Sequence, residues 1–261
     1  MTVFEPGTFT PAPGRGSLGR MLWTHARIEA SLTLRHGEQI LLTLLIPLAL
    51  LIGLSLLDIL PASQLGSTSK VDWITPRILA LAVMSSAFTG QAIALGFDRR
   101  YGVLKRLSAT ALPRWLLVAG RLAAALIVVA LQSVIIGVVA AFLGWSPSVA
   151  GLASAVLLLV FGTLAFGALG VLLGGALRAE AVLALANIVW FVLLLAGGIL
   201  LAPSALPGGL AAVVEVLPSG ALAEGLRAGL VDGAFAPWPL AALAAWALIA
   251  GAVASRTTRV T

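Results

Sequence analysis

Cysteine is absent from this chain, and charge is scarce: Asp, Glu, Lys and Arg together make up 10% of its 261 residues. Without thiols there is no disulfide framework, zinc ribbon, iron–sulfur cluster or cysteine nucleophile. The two histidines, His25 and His36, both lie in the polar N-terminal segment, so no pair of intramembrane histidines can hold a haem. Lysine occurs only at Lys70 and Lys105, and no G-x-x-x-x-G-K-[ST] run is present. The chain therefore has no P-loop to cradle nucleotide phosphates. It also lacks H-E-x-x-H, a paired-aspartate motif for prenyl diphosphates and a G-x-S-x-G nucleophile elbow. Of ten carboxylates only Asp58 falls within an apolar run, close to the end of it. A proton-coupled carrier working alone needs an ionisable group near mid-membrane, and Asp58 is poorly placed for that.

What the sequence has instead is apolar length. Sixty per cent of it is hydrophobic, and the mean hydropathy is +1.09. A soluble domain carries roughly 25% charged residues. The basic balance, a net charge of +6, is spread over so much apolar sequence that it fits a membrane protein and not a nucleic-acid binder. A helix needs about 20 apolar residues to cross the hydrocarbon core. Six stretches qualify or nearly do: 40–60, 78–97, 116–143, 152–177, 182–201 and 238–254. None alternates with period two, and lipid offers nothing to an unpaired backbone group, so all six are expected to be helices. The fold class is an all-α polytopic membrane protein within 39–261.

The termini and one long connection complete the reading. Residues 1–16, rich in Pro, Gly and Thr, read as a disordered tail. No signal peptide is apparent, because the first apolar run is too long for a cleaved one. Segment 17–38 reads as an amphipathic helix on the membrane surface. Its polar stripe is Arg20, Thr24, Arg27, Ser31 and Arg35, with Leu18, Met21, Leu22, Ile28 and Leu32 elsewhere around the helix. Between the fifth and sixth spans, 203–236 is punctuated by Pro203, Pro207, Gly208, Gly209 and Pro218, and its most apolar piece is too short to cross. It is expected to form two short helices broken at Pro218 that dip into one leaflet. Ser219 would cap the second, Leu222, Leu226 and Leu230 would be its buried face, and Glu224 would pair with Arg227. Twelve of the sixteen basic residues then fall on one side, among them Arg99, Arg100, Lys105, Arg106, Arg178 and Arg256. Lys70, Arg77 and Arg227 fall on the other, so the positive-inside rule places both termini in the cytoplasm. Arg121, just inside the third span, is expected to snorkel to the headgroups.

The remaining intramembrane polar groups admit two readings. Ser86, Thr89, Gln91, Gln132 and Asn187 either line a pathway or hold helices of one subunit together. Interhelical hydrogen bonds of the second kind contribute about 0.6–2 kcal/mol each.

The loop at 98–112, after the second span, carries the most specific pattern. Asp98 is placed to cap a short helix, Val103, Leu104 and Leu107 give it an apolar face, and Pro113 ends the element. Arg100, Tyr101, Gly102, Leu104, Lys105, Leu107 and Pro113 match the coupling helix of type-2 ABC exporter permeases, and Asp98 and Arg99 flank the match. With six spans and a Pro/Gly-rich connection before the last, nearly the whole chain resembles that family, close to its daunorubicin-resistance branch. The resemblance implies a permease subunit that forms the substrate pathway with a second copy or a similar permease. It implies two separate ABC ATPase subunits, holding ATP and Mg, docked on the segment from Asp98 to Leu107. This chain would bind no cofactor and would catalyse nothing itself. Residues 203–236, with Pro207, Pro218, Glu224 and Arg227, would cap the pathway as an outer gate. The implied location is the bacterial inner membrane, with lipid and no nucleic acid as further partners. A secondary transporter or channel acting without an ATPase is the alternative, and a membrane-embedded enzyme is a third reading that no residue constellation supports.

Overall fold

Backbone amides in hydrocarbon have no water to bond, so each long apolar run closes its own hydrogen bonds as a helix. A computed structural model describes residues 16–35, 37–57, 68–110, 112–201, 203 and 206–257. The 1–16 tail, apart from Gly16, lies outside the described residues, as does Asp58. In chain order the helices are α1 (Leu18–Arg35), α2 (Gly37–Leu56), α3 (Lys70–Val83), α4 (Gln91–Arg100), α5 (Val103–Ser108), α6 (Arg114–Phe142), α7 (Leu152–Ala176), α8 (Ala179–Ala196), α9 (Gly208–Val216), α10 (Pro218–Leu230) and α11 (Pro237–Thr257). No strand occurs among the described residues.

Five helical stretches are long and apolar enough to cross a membrane: Lys70–Arg100, Trp115–Phe142, Val149–Ala176, Ala179–Ala196 and Pro237–Arg256. Together with the 20-residue α2, they supply a helix for every expected span. The chain is a polytopic α-helical membrane protein. Helices α9 and α10 form the one strongly bent pair among the described residues, meeting at 86°.

The second span departs most from its sequence reading. It begins at Lys70, eight residues before the expected start, because Ser69 caps it: the Ser69 hydroxyl accepts from the Asp72 amide at 3.1 Å. Lys70, Asp72 and Arg77 lower the hydropathy of this first part and hide it from an apolar window. Every residue from Trp73 to Val83 is nevertheless buried. This helix is the axis of the bundle, packed by α2, α6, α7 and α10, while α11 lies along α7 and α1 along α6. Helices α6, α8 and α11 keep long exposed apolar faces, such as Val134 and Phe142, Ile188 and Phe191, and Leu248 and Ile249. In a bilayer those faces meet hydrocarbon.

Between α3 and α4 the span widens into a seven-residue π-helical segment, Met84–Gly90. Such segments are rare and need support from neighbours. Here Ser85 donates its hydroxyl back to Leu81 O at 2.8 Å, and α7 presses against the widened turn. A Cβ on Gly170 would stand 2.7 Å from Phe88 O and 3.0 Å from Ala87 O. Only glycine lets α7 come this close.

One expectation is corrected, and it concerns α10. Helix α1 meets the rest of the protein through small residues. His25, Ala26 and Ala30 are its buried residues, whereas Leu18, Ile28 and Leu32 are exposed. Close packing on α6 selects the small face, and the bulky face is left for lipid. Ser219 does not cap α10. Leu217 is the N-cap and Pro218 takes the first helical position, where its missing N–H costs nothing. The Ser219 hydroxyl is buried, with no hydrogen-bond partner among the described residues. Leu222, Leu226 and Leu230 do form the buried face. Trp246 of α11 donates Nε1–H to Val216 O at 2.9 Å and fixes the end of α9.

Gly170→Leu is expected to force α7 away from the π segment and destabilise the bundle by about 1–3 kcal/mol, as overpacking does. Gly53→Ala, where a Cβ meets nothing within 4 Å, should leave stability unchanged. Thermal unfolding of both variants in detergent checks the contrast.

Candidate functional site at the two charged ends of the second span

Arg77 and Asp98 are 21 residues apart on the second span. At 1.5 Å per residue that is about 31 Å, one hydrocarbon thickness. Each end of the span carries a charge cluster, and polar residues occupy the middle.

At the basic end α4 runs out into Tyr101, and Gly102 turns the chain. Gly102 has φ +69°, a left-handed conformation that side chains with a Cβ resist. Its amide bonds Arg99 O at 3.1 Å, and its carbonyl accepts from the Arg106 amide at 3.2 Å. One residue thus ends α4 and starts α5. Asp98 is not the cap expected of it. Its carboxylate pairs with Arg121 of α6, whose guanidinium also lies 3.7 Å from Glu29 of α1. Arg121 is only 3% exposed, so it is a buried, paired cation and not a snorkelling one. His25, one turn before Glu29, lies 3.3 Å from Leu117 O. Four polar side chains therefore join α1, α4 and α6.

Asp98 is followed by two arginines that reach the other way. Arg99 donates to Gly174 O at 3.1 Å and Leu177 O at 3.2 Å, serving the free carbonyls at the end of α7. Arg100 pairs with Glu180 in the first turn of α8. The loop after the second span and the α7–α8 turn, far apart in sequence, are stapled together. A cleft of about 470 Å³ opens between them, lined by Gly96, Arg99, Arg100, Leu177, Arg178 and Glu180.

Helix α5 places its apolar side chains inward. Leu104 is 5% exposed and packs with Leu95, Val171 and Ala254, with Leu107 and Val118 beside them. Neither leucine projects away from the bundle, as knobs for a partner would. Tyr101, 65% exposed, together with Lys105 and Arg106, forms the outward face. The short helix expected after Asp98 is present as Val103–Ser108, with Leu104 and Leu107 turned into the bundle.

At the opposite end Arg77 is 1% exposed although it is charged. Its guanidinium lies 3.9 Å from the Trp73 ring centroid, and Nη1 donates to Trp73 O at 2.9 Å. Nη2 donates to Glu224 Oε1 on α10 at 2.7 Å. Arg227 takes the other carboxylate oxygen, Glu224 Oε2, at 2.8 Å and also bonds Asp232 at 2.8 Å. The Glu224–Arg227 pair expected from sequence forms, but it is half of a larger chain of charges. Arg77 was missed because only its flanking position was visible. A Trp one turn upstream, at cation–π spacing, was the available signal.

The mid-membrane residues divide. Ser86 donates to Gln132 Oε1 at 2.6 Å, and Gln132 donates to Thr43 Oγ1 at 3.2 Å, linking spans one, two and three. Thr89 Oγ1 and Gln91 Oε1 are buried without a hydrogen-bond partner among the described residues. Asn187 is exposed on α8 and bonds its own helix at Leu183 O, 2.8 Å away. Trp190, on the same helix, reaches Ser85 Oγ at 2.9 Å. Pro207 and Pro218 open α9 and α10.

The family model described as ABC-2 type transporter matches residues 20–231, from α1 through α10. The chain belongs to the ABC-2 type transporter family. Its membrane domain is that of an ABC transporter permease, a multi-pass membrane component whose family works with ABC ATPases. A comparison with curated proteins finds no match. Within the permease, the inner charged cluster, Arg77, Glu224 and Arg227 of the outer one and the whole π segment fall inside the matched region.

Arg121→Leu would strand Asp98 and Glu29 without their cation, at a cost on the order of 3 kcal/mol. The double variant Arg121→Leu/Asp98→Leu should regain a measurable part of this. Chemical or thermal denaturation of the purified permease, run as a double-mutant cycle, reads the coupling.

Proposed function

We propose that this permease is the membrane subunit of an ATP-driven exporter of the daunorubicin-resistance-like branch. Two permeases, identical or similar, would enclose the pathway, and two separate ATPase subunits would bind on the side that carries α5. The basic end is assigned to the cytoplasm by the positive-inside rule, which puts both termini there and the α9–α10 pair outside, in a bacterial inner membrane. ATP and Mg would be held by the ATPases.

The observation that carries this reading is the stapling of the end of α4, from which α5 turns off at Gly102, to the α7–α8 turn through Arg99, Arg100 and Glu180. A surface made of two loops gives a docked ATPase one rigid face to push, and the same loops continue directly into spans two, four and five. Gly102 sets the angle of α5, Leu104 and Leu107 root it, and Tyr101, Lys105 and Arg106 are offered to the partner. Among the polar residues of the spans, Thr89 and Gln91 are the strongest candidates to face a pathway, since Ser86 and Gln132 are engaged with each other. The α9–α10 pair, with Pro207, Pro218, Glu224 and Arg227, serves as the outer gate. Cargo meets walls of aliphatic residues with sparse hydroxyls and amides, which suits a hydrophobic or amphiphilic molecule.

Co-purification of an ABC ATPase with the tagged permease, followed by ATP-dependent transport in liposomes, tests the assembly. Transport driven by an ion gradient with no ATPase present would refute it. Within the complex, Lys105→Glu/Arg106→Glu is expected to lower permease-stimulated ATP hydrolysis at least fivefold while leaving the melting temperature unchanged. Leu104→Asp should instead lower the melting temperature, because the charge would enter the permease's own core. Equal stability of Leu104→Asp and the unchanged protein would contradict the inward placement of α5.

A further inference from the structure

The most heavily desolvated charge among the described residues is Arg77, and neither the coupling face nor the pathway accounts for it. It sits at the outer end of the second span, the same continuous helical span that ends in Asp98, Arg99 and Arg100. Its one carboxylate partner is on α10, 147 residues away in sequence. Burying a guanidinium is expensive unless its partners are fixed, and three fixtures are present: the Trp73 ring, the Trp73 carbonyl and Glu224. Two of the three belong to Arg77's own helix. Only Glu224 belongs to a different element, the short helix α10, bounded by the 86° bend at Pro218 on one side and by a turn with Gly233 at φ +68° on the other.

We propose that Arg77 is the fixed half of an ion-pair latch that holds α10 closed, with Glu224 as the moving half. Arg77 is pre-oriented by Trp73 and keeps those contacts whether or not Glu224 is present. Glu224 in turn never loses all its compensation, because Arg227 on its own helix holds the second oxygen. Release of the latch therefore exposes an arginine already stacked on tryptophan and a carboxylate already paired, which keeps the open state within reach. The latch rests on the reading of α9–α10 as an outer gate and extends it. The span carrying Arg77 also carries the inner charge cluster, so a shift of its inner end is delivered to the latch along one helix. The π segment Met84–Gly90 lies between the two ends, held by the close approach of α7 at Gly170. Arg77 is thus a positioning residue for the gate; nothing requires it to touch cargo.

The test uses the absence of native cysteine. Ala223, beside Glu224 and 0% exposed, is replaced by cysteine in the full permease in proteoliposomes or cells. Labelling by a membrane-impermeant maleimide from outside then reports how often α10 lifts. In the Ala223→Cys background, Arg77→Gln is expected to raise the labelling rate at least tenfold. Glu224→Gln should raise the rate comparably, and the double variant Arg77→Gln/Glu224→Gln should stand within about threefold of either single variant, because the second change finds the pair already broken. Arg77→Lys, which keeps the charge but loses the forked hydrogen bonds and the flat stacking, should fall between the starting rate and that of Arg77→Gln. The melting temperature is followed in parallel. A rate unmoved by Arg77→Gln overturns the latch. So does a double variant whose rise is the product of the two single rises, since that reports two independent losses and not a shared ion pair. The labelling needs neither ATPase nor cargo, so the latch can fail while the exporter assignment stands. Conversely, failure to find an ATPase partner would leave the labelling result intact.

Discussion

Charges buried among packed helices must be met by opposite charges from other helices, and this one requirement organises the second span from end to end. Arg77 at one end is met by Glu224 of α10, and Asp98 at the other by Arg121 of α6. The span that carries them is the most enclosed of the membrane-crossing helices. Because the two clusters are about one hydrocarbon thickness apart, they also define the depth at which the bundle sits. Helices that carry no charge are free to tilt or slide along their apolar faces; this one is pinned at both ends, and α1, α6, α7, α8 and α10 are pinned to it.

The middle of the span answers a different requirement. A π-helical turn leaves the helix wider than its neighbours expect, and glycine at 170 on α7 allows the backbone of one helix to rest against the carbonyls of the other. Hydroxyls and amides concentrate at the same level: Ser85 with Trp190, Ser86 with Gln132, and Thr89 Oγ1 and Gln91 Oε1 without a hydrogen-bond partner among the described residues. The span is thus held by charges at both ends and by close packing and hydrogen bonds through its irregular, polar middle.

The hydropathy pattern located all six spanning stretches and the broken pair, because burying about 20 apolar residues in a helix is a local property that one window of sequence records. The short helix after the second span was also legible, through Gly102 and Pro113. Which side of that helix faces the protein was not. Val103, Leu104 and Leu107 are an apolar face in any setting, and whether they meet a partner or the parent bundle depends on Leu95, Val171 and Ala254 being nearby. The packing face of α1 was likewise not specified by spacing along the helix. In water the bulky apolar side of a helix turns inward, but beside lipid it can turn outward and leave the small residues to pack.

By itself, then, the sequence determined the class of protein, the approximate positions of its apolar helices, apart from the polar start of the second span at Lys70, and the places where the chain must break. These follow from chain-local physics: hydrogen-bond closure in hydrocarbon, proline's missing N–H and the distribution of arginine. Only the tertiary structure decided which charges meet. Arg77 and Glu224 are separated by 147 residues, and Arg121 gathers carboxylates from two other helices. An ion pair is a property of distance in space, and nothing in the spacing of residues along one helix specifies which other helix will stand beside it.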